Sequence, residues 1–577
     1  MLVGEAPGGD EDRIGRPFVG AAGYELDREL GQAHWDRRAF FVTNVCHSRP
    51  PGNEIEFFFA KRNEAKRERL VEVAGRFPRQ PVLDGLSQLQ SDIDSIHPTL
   101  IIALGNTALW ALTGQTGIMR WRGSIIAAAG GPVDGHGIKT IVGLHPAYIL
   151  REHILRFLAV ADLKRAKHES EFPEIRRPTW HFTIPRSPAD VHNWFGDQGL
   201  LTDECNPNAR HQQPLAADVE NVIGSGDLIC LGFASDESNA LCVPFIRRTE
   251  EREQTGLTAA ADSDTGRSPH YWDRDAELAV SHLCNRMLKQ HPVLFHNGLH
   301  DCQILARHWG VMPRFTHDSM VMQHVAFPGM LGGKIDPITG EVDKKGSSLS
   351  LSFCASLYCD YYRFWKLDGR GWNAEIDSEQ KYWEYNCEDN VRAMECFNKL
   401  SNILRRDNLW EQYLFEMSLF PAVFDMMFRG VAFDNRLRYQ YVRQVENDQL
   451  KLQKWIDTAV GHPLNVRSSN QMKALFYDDL QCERILHRKT KQPTLDDKAL
   501  ERISRRSPIL KPLIERIQAL RTLDVFQDNF LKVRLRSDGR LCGAFNVASP
   551  ETMRFSSNVD AVGGGMNLQN LPRNPDD

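Results

Sequence analysis

Short apolar runs alternate with amphipathic stretches over the first 167 residues. The runs RAFFVTNV, PTLIIALG and IKTIVGLHP are typical of buried strands, and each leads into a loop. Helical patterns such as NTALWALTG lie between them. This alternation predicts a parallel sheet covered by helices, with the loops after the strands gathered at one edge. The sequence therefore predicts an α/β/α domain over residues 1–167.

A second α/β region follows a charged stretch that contains several prolines, KHESEFPEIRRPTWHFTIPRSP, which predicts a linker over residues 168–205. The stretch LICLGFASDESNALCVPF then predicts two antiparallel strands joined at SDESN. Strands and helices alternate from there to YWEYNCEDNVRAMECFNKL, interrupted by a polar insertion over residues 247–269, where we expect a loop, and by LGGKIDPITGEVDKKGSS. We expect a mixed-sheet α/β domain over residues 206–400.

The pattern becomes mainly helical over residues 401–577. Apolar positions recur at helical spacing from EMSLFPAVFDMMFRGVAFD to LIERIQALRTLDVFQDNF, and the turn SDGR in VRLRSDGRLCGAFNVAS predicts a β-hairpin. The chain as a whole is therefore expected to be a multidomain α/β protein with a mainly helical last region.

Composition adds little about partners. At 577 residues, with 42% hydrophobic and 25% charged residues, the chain is expected to fold into several globular domains. The net charge of −5 gives no indication of a polyanion partner. A nucleic-acid surface must therefore come from local basic stretches such as LHRKTKQ and FLKVRLRSDGR.

The twelve cysteines contain no C-x-x-C pair, and the sequence opens without a basic or apolar leader. We expect a reduced protein in the cytoplasm of a bacterium or of a phage host. The most apolar stretch, PTLIIALGNTALWALTG, is too interrupted to span a bilayer, so we expect no membrane partner.

Carboxylates with metal-ligand spacing fall between residues 215 and 395. Asp218 and Glu220 alternate on an expected strand and so share one face, where they repel each other unless a cation lies between them. Asp301 opens a helix after VLFHNG, and Tyr385 and Asp389 lie at i and i+4 on one helical face. Oxygen ligands of this kind suit a pair of Mg²⁺ or Mn²⁺ ions.

The order D-x-E, N-x3-D and Y-x3-D resembles the three motifs of the DnaQ-like 3′–5′ exonucleases in their tyrosine form, as found in the proofreading domain of family A DNA polymerases. The resemblance implies an RNase H-like fold over residues 206–400. It also implies two cations, about 3.5 to 4 Å apart, that activate a water and stabilise the leaving oxygen. The implied metal ligands are Asp218, Glu220, Asp301 and Asp389, and Tyr385 would hold the attacking water.

Glycine-rich loops and strand ends in the first domain carry a second resemblance. The segments VGEAPGGDEDRIGRPFVG, VTNV and GLHPAYILR resemble the uracil-DNA glycosylase superfamily, and most closely its family 4. In that family the phenylalanine stacks on a flipped uracil, the asparagine bonds the uracil edge and the histidine donates to the leaving base. The implied uracil site consists of Glu5, Phe18, Asn44 and His145, with Glu11 or Asp12 as further candidates for the acidic role.

The family 4 enzymes hold an iron–sulfur cluster with four cysteines, and the sequence departs from that pattern. Two of those cysteines would precede the loop that here directly follows Met1. The other two places hold Ser48, with Cys46 two residues away, and Gly85. We therefore expect no cluster. Whether the domain excises uracil, only binds DNA or is a trimmed fragment stays open.

The last region resembles the start of the polymerase domain of family A, comprising the thumb and the first part of the palm. The resemblance rests on FEMSLFPAVFDMMFRGVAFD, NVRSSNQMKALF and TMRFSSNVDAVGGGMNLQNLPRNP. It implies contacts with the primer–template from Arg554, Ser556, Asn567 and Gln569. The palm aspartates and the fingers helix come later in the family's order of motifs, so we expect no polymerisation from this chain alone. A separate chain that carries these motifs is a possible partner that the sequence leaves open.

Together these features predict the N-terminal portion of a phage-type family A DNA polymerase that removes nucleotides from DNA 3′ ends and binds primer–template DNA. Two alternatives stay open: uracil excision as the main activity, or a non-catalytic DNA-binding accessory that completes a split polymerase.

Overall fold

The computed structural model describes most of the chain, which folds into two compact units. The larger unit is Met1–Leu419 with Val547–Arg554, and the smaller is Phe420–Asn546 with Phe555–Asp577. The insertion expected as a loop lies outside the described residues beyond Arg247. The described residues are 1–201, 213–222, 225–247, 270–329, 332–335, 342–370, 378–487, 492–548, 550, 552–559 and 564–570.

The first sheet of the larger unit is built from short, mostly buried strands. Its order is β2-β1-β5-β7-β6, with β6 antiparallel to its neighbour and the others parallel, while β3 and β4 form a separate antiparallel pair. The strands are β1 (Leu2–Gly4), β2 (Val42–Asn44), β3 (Phe59–Ala60), β4 (Phe77–Pro78), β5 (Ile101–Leu104), β6 (Ile125–Ala127) and β7 (Lys139–Gly143).

Helices cover both faces of this sheet, so its strands are buried on both sides as their unbroken apolar runs require. The parallel α/β fold predicted for residues 1–167 is confirmed. The helices are α1 (Gly9–Ile14), α2 (Ala21–Gln32), α3 (Arg62–Glu68), α4 (Gln80–Ile96), α5 (Asn106–Thr113), α6 (Ile118–Trp121), α7 (Pro146–Ile149) and α8 (Arg156–Glu169).

The second sheet of the larger unit is mixed, with the order β13-β12-β9-β10-β11-β8. The pair β10–β11 is antiparallel, as the pattern around SDESN predicts; β9–β10 is also antiparallel, and the remaining neighbours are parallel. The strands are β8 (His181–Thr183), β9 (Leu215–Asn221), β10 (Leu228–Ala234), β11 (Asn239–Pro244), β12 (Val293–Phe295) and β13 (Phe315–Asp318).

One long helix, α15, lies across this sheet and can do so because Gly232 of β10 has no side chain. A Cβ at Gly232 would stand 2.1 Å from the side-chain oxygen of Asn386 in α15. The helices of this part are α9 (Pro188–Asp197), α10 (Arg274–Gln290), α11 (Gly298–Trp309), α12 (Ser319–Ala326), α13 (Leu351–Tyr358), α14 (Lys366–Arg370), α15 (Glu379–Arg406) and α16 (Trp410–Ser418). The strands β14 (Gly332–Ile335) and β15 (Val342–Ser347) form an antiparallel pair.

Residues 168–205, where the sequence predicts a linker, contain two elements that pack on the second sheet. Strand β8 pairs in parallel with β11, and α9 buries Trp194 and Phe195. Ser187 and Asp190 cap α9 with a capping box, in which each side chain accepts a backbone N–H of the other residue. The prolines and charges that indicate a linker therefore surround an edge strand and a capped helix.

The larger unit also extends past residue 400, where the sequence predicts the end of the mixed-sheet domain. The hydroxyl of Tyr413 on α16 lies 3.0 Å from Nδ1 of His317 and accepts the backbone N–H of Asp318 at 3.1 Å. Because Tyr413 is fully buried against β13, α16 belongs to the core of the second sheet.

The smaller unit is mainly helical, with a core formed between its long helices. The predicted turn at SDGR forms, since Arg536 and Arg540 pair through their backbones, but β17 then pairs with β16. Its helices are α17 (Phe420–Arg429), α18 (Asn435–Val460), α19 (Ser469–Lys473), α20 (Asp497–Arg506) and α21 (Lys511–Phe526), and its strands are β16 (Val431–Ala432), β17 (Arg540–Leu541), β18 (Ala544–Asn546) and β19 (Ser556–Asn558).

Across the described part of the chain, no helix combines the length and the apolar character that a membrane span needs.

Glu29 of α2 is a buried acid in the core of the first sheet. Its side chain is 1% exposed, and among the described residues its Oε1 has no hydrogen-bond partner. Burial, and then the negative charge of Glu25, raise the pKa of Glu29 from 4.5 to about 8. The folded protein therefore keeps a proton on this carboxyl that the unfolded chain releases near its ordinary pKa.

We expect the free energy of unfolding to fall as the pH rises between these two pKa values, because only the folded state still binds the proton there. Glu29→Gln removes this dependence and, at the upper end of the interval, stabilises the fold by about 1 to 3 kcal/mol relative to the native chain. Denaturant unfolding at a series of pH values measures the effect, with the exposed Glu72→Gln as the matched control. If the free energy of unfolding of all three proteins changed with pH in the same way, Glu29 would be ionised in the folded protein and the prediction would be wrong.

Candidate functional site

Three of the predicted metal ligands meet where α15 crosses β9. Asp218 and Glu220 project from the same side of β9, as their alternation predicts, and Asp389 faces them from α15. Ligand oxygens of Asp218, Glu220 and Asp389 all lie within 4.8 Å of one another. Asp218 and Glu220 are half-buried and Asp389 is buried. We call this group the carboxylate cluster.

Side chains of α15 that the motifs do not include hold the carboxylate cluster in place. Nδ2 of Asn386 donates to Oδ2 of Asp218 at 2.8 Å, and the hydroxyl of Tyr382 donates to Oε2 of Glu220 at 3.3 Å. Both residues lie on the helical face of Asp389, one turn or more before it. A polar and aromatic stripe on a buried helix face is the sequence signal that could have indicated them.

Asp301, the fourth predicted ligand, lies beside the cluster in the first turn of α11. Its Oδ1 accepts the backbone N–H of Val219, the residue between Asp218 and Glu220, at 2.9 Å. Burial raises the pKa of Asp301 to about 8, and the charges of Asp318 and Glu220 act in the same direction. Asp301 therefore braces β9 at the cluster, and its role as a metal ligand stays a prediction.

Two consecutive residues donate to the two oxygens of Asp389. Nε1 of Trp365 donates to Oδ1 at 2.6 Å, and Nζ of Lys366 donates to Oδ2 at 2.6 Å. The same ammonium donates to the hydroxyl oxygen of Tyr385 at 3.1 Å. This contact links the predicted water-holding tyrosine to the carboxylate cluster.

Burial and, after it, the crowding of negative charges determine the electrostatics of the cluster. Burial raises the pKa of Asp218 well above its ordinary value, and the negative charges of Asp389, Glu220 and Asp301 raise it further, while Lys366 opposes them. Hard carboxylate oxygens that repel one another fit a divalent cation such as Mg²⁺ or Mn²⁺, which would relieve the repulsion.

A second group of predicted residues meets at the edge of the first sheet where the parallel strands end. Gly4 closes β1, Asn44 closes β2 and His145 follows β7. A Cβ on Gly4 would lie 2.3 Å from Oδ1 of Asn44 and 2.7 Å from the ring of Phe18. The rings of Phe18 and His145 have centroids 5.5 Å apart and are tilted by 31°. Asn44 and Phe18 therefore flank Gly4, and His145 lies beside Phe18.

The loop that carries Phe18 is held by charged side chains. Phe18 adopts the left-handed backbone conformation, with φ 52°, and its carbonyl accepts from Nη2 of Arg37 at 2.7 Å. Oε1 of Glu11 accepts the backbone N–H groups of Val19 and Gly20 at 3.0 and 2.8 Å. Glu11 thus stabilises the loop, a role different from the acidic one at the sugar for which it is a candidate.

Backbone contacts indicate the protonation state of His145. Its Nδ1 accepts the N–H of Ala147 at 3.2 Å, so the proton of the neutral ring is on Nε2. Burial lowers the pKa of His145, against the charge of Glu5, which acts to raise it. Oε2 of Glu5 in turn accepts the hydroxyl of Thr107 at 2.7 Å. His145 is therefore a neutral Nε2–H donor beside the ring of Phe18.

The positions where a family 4 enzyme has its last two cluster cysteines do not fit an iron–sulfur cluster here. Cys46 is buried, with Sγ 3.4 Å from the carbonyl oxygens of Ser48 and Pro81. Gly85 packs directly on this segment, and a Cβ there would stand 2.1 Å from the carbonyl oxygen of Val45. A ligand side chain at position 85 would therefore clash with the backbone.

The predicted DNA-contacting residues lie on or next to β19 and the turn after it. Arg554 is exposed, and Ser556 opens β19. Nε2 of Gln569 donates to the carbonyl of Phe555 at 2.8 Å, and Oδ1 of Asn567 accepts the N–H of Gln569 at 2.9 Å. Asn567 and Gln569 thus shape the turn, and contact of the four with DNA stays a prediction.

Comparison with known proteins gives two matches at opposite ends of the chain. Residues 1–171 match the uracil DNA glycosylase superfamily, and residues 436–577 match DNA polymerase family A. A type-4 uracil-DNA glycosylase of Thermotoga maritima is 33% identical over 170 residues, which are 29% of this chain and 75% of that protein. One of Pyrobaculum aerophilum is 35% identical over 159 residues, 27% of this chain and 70% of that protein.

The polymerase match is more distant. DNA polymerase I of Caldicellulosiruptor bescii is 24% identical over 196 residues, which are 32% of this chain and 22% of that protein. The match covers about a fifth of that polymerase, whereas the glycosylase matches cover most of their relatives. Through residues 1–171 the chain belongs to the uracil DNA glycosylase superfamily, and it carries a family A DNA polymerase region at residues 436–577.

Proposed function

We propose that the chain is a DNA-processing enzyme whose carboxylate cluster removes nucleotides from DNA 3′ ends with the help of Mg²⁺ or Mn²⁺. The observation that carries the proposal is the approach of the oxygens of Asp218, Glu220 and Asp389 to within 4.8 Å of one another. The order of the D-x-E, N-x3-D and Y-x3-D motifs on a mixed sheet supports a DnaQ-like, RNase H-like domain. The family A polymerase region supports DNA as the substrate.

Asp218, Glu220 and Asp389 would hold the cations, and Asp301 would keep β9 in register by its bond to Val219. When bound, the cations supply the positive charge that activates a water and stabilises the phosphate oxygens. The side chains of α15 fix the ligands before any cation arrives, because Asn386 already orients Asp218. The site is therefore preorganised for phosphodiester hydrolysis.

Tyr385 would orient the attacking water. Burial, and then the charge of Asp389, raise the pKa of the phenol well above its ordinary value, so the hydroxyl keeps its proton. Its oxygen accepts from Lys366, and a side-chain hydrogen bond also joins Tyr385 to Asp389, so the hydroxyl is held beside the carboxylate cluster. Tyr385 thus acts as a fixed hydrogen-bond donor.

A second function is favoured by a separate observation. Phe18 and Asn44 flank Gly4, and His145 lies beside Phe18, in a domain of the uracil DNA glycosylase superfamily, whose relatives are named type-4 uracil-DNA glycosylases. We propose that this edge of the first sheet binds an extrahelical uracil and releases it from DNA. Phe18 would stack on the base, and Asn44 would bond its edge.

In this reaction the bond between the sugar carbon and the uracil nitrogen breaks, water adds to the sugar carbon, and the base leaves with the bonding electrons. His145 would donate its Nε2–H to the uracil oxygen on which negative charge develops. A neutral imidazole suits this role because its Nε2–H can donate a hydrogen bond to the developing negative charge while the proton stays on the ring.

The proposed nuclease function predicts the effect of a substitution in the carboxylate cluster. Asp218→Asn keeps the shape of the side chain but removes a ligand charge, so we expect the shortening of 5′-labelled single-stranded DNA in Mg²⁺ to slow by at least about a hundred-fold. A gel assay on the full chain measures the ladder of products. Asp275→Asn, an exposed substitution in the first turn of α10, is the matched control and should shorten DNA at the native rate. Equal rates for Asp218→Asn and the native chain would refute the nuclease site.

The proposed glycosylase function predicts the effect of a substitution in the uracil site. Gly4→Ala adds one methyl group that displaces Asn44 and Phe18, so we expect release of uracil from DNA to fall by about a hundred-fold. The assay counts abasic sites in uracil-containing DNA, without added metal. Gly31→Ala adds the same group at an open position of α2 and serves as the control. The proposal fails if the native chain produces no abasic sites, or if Gly4→Ala acts at the native rate.

A further inference from the structure

A lysine that belongs to none of the motifs reaches into the carboxylate cluster. Nζ of Lys366 lies 2.6 Å from Oδ2 of Asp389 and 3.1 Å from the hydroxyl oxygen of Tyr385, and its side chain is 19% exposed. The neighbouring Trp365, which is fully buried, donates to the other oxygen of Asp389. Both carboxylate oxygens of Asp389, a candidate metal ligand, therefore accept hydrogen bonds from two consecutive residues.

The piece of chain that carries them, residues 359–366, is anchored to the first sheet, and we call it the bridging segment. The backbone N–H of Ile125 in β6 donates to the carbonyl of Tyr362 at 2.7 Å. The N–H of Phe364 donates to Oγ of Ser124 at 3.2 Å, and the side chain of Tyr362 is 1% exposed. The bridging segment is thus held against the edge of the first sheet up to the residue before Trp365.

Buried ion pairs fix the start of the bridging segment. Nε of Arg122 donates to Oδ2 of Asp162 at 2.9 Å and Nη1 donates to Oγ of Ser356 at 2.9 Å, while Arg122 and Asp162 are each 2% exposed. Arg165 donates to the carbonyls of Ser356 and Cys359 at 2.8 and 2.9 Å. Because both arginines belong to the glycosylase-like domain, that domain holds the start of the segment that leads to Lys366.

The charge of Lys366 has two opposite consequences. In the cluster without cations, one ammonium beside three carboxylates relieves part of their repulsion and orients Asp389 and Tyr385. A divalent cation that binds Asp389 must approach the same ammonium, and two positive charges at this distance repel each other. Lys366 therefore stabilises the empty cluster and weakens its affinity for the cation.

We propose that Lys366 is a positioning residue of the carboxylate cluster that holds Asp389 and Tyr385 in place and competes with a divalent cation for Asp389. The inference rests on the proposed nuclease function of the cluster. It adds that the glycosylase-like domain, through the bridging segment, places a competing charge in the nuclease site.

The test is a calorimetric titration of the full chain with Mn²⁺. We expect Lys366→Met to bind Mn²⁺ at least about ten-fold more tightly than the native chain, because the neighbouring positive charge is gone. Lys289→Met, at an exposed position in the last turn of α10, removes one positive charge away from the cluster and the bridging segment and should bind like the native chain. Affinity in Lys366→Met that equals or falls below the native value would overturn the proposal.

Thermal unfolding in a chelator gives a second readout that needs no catalysis. We expect Lys366→Met to unfold at a lower temperature than Lys289→Met without cations, and the gap to close when Mn²⁺ is added. A gap that is absent without cations, or that Mn²⁺ leaves unchanged, contradicts the proposal. Lys366→Gln gives the same comparison if Lys366→Met does not fold, and Lys366→Arg, which keeps the charge, should bind like the native chain.

Asp218→Asn in the same titration separates this proposal from the nuclease function. If the native chain and Asp218→Asn bind Mn²⁺ equally, the cluster is not a cation site and both proposals fail. If Asp218→Asn loses binding while Lys366→Met binds like the native chain, the cation site stands and the inference about Lys366 alone is wrong.

Discussion

Repulsion among Asp218, Glu220 and Asp389 is the constraint on which the architecture of the larger unit depends. Carboxylates within 4.8 Å of one another oppose folding unless donors and cations surround them. The chain supplies the donors from α15 and from the bridging segment, so that Asp218 accepts from Asn386 and Asp389 accepts from Trp365 and Lys366. The close packing of α15 on β10 at Gly232 is what permits this arrangement.

The same unit contains the glycosylase-like domain, which makes buried contacts with α13 and the bridging segment. Arg122 and Arg165 of the first domain hold the residues that lead to Trp365. Each site also depends on a glycine at the point of closest approach, Gly4 beside Asn44 and Gly232 beside Asn386. A side chain at either glycine would separate groups that must touch for the proposed chemistry.

Sequence patterns predict what lies within one element. Alternation places Asp218 and Glu220 on one face of β9, and the spacing of Tyr385 and Asp389 places them on one face of α15. The parallel order of β1, β2 and β7 likewise predicts that Asn44 and His145 meet at one edge, since parallel strands end on the same side of a sheet.

Patterns do not reveal contacts between distant segments. Lys366 comes from a segment whose position is set by the edge of the first sheet, and no local spacing indicates it. Strand β8 escapes prediction because its three residues lie among prolines and charges and gain their stability from pairing with β11. The packing of Tyr413 on β13, which extends the larger unit past residue 400, is likewise a tertiary contact.

Anomalous scattering from a crystal of the full chain soaked in Mn²⁺ tests the central claim most directly. We predict an anomalous peak in contact with Asp218, Glu220 and Asp389, together with a shift of the Lys366 ammonium away from Asp389. Peaks confined to surface carboxylates, with the carboxylate cluster unchanged and Lys366 still bonded to Asp389, would contradict the account.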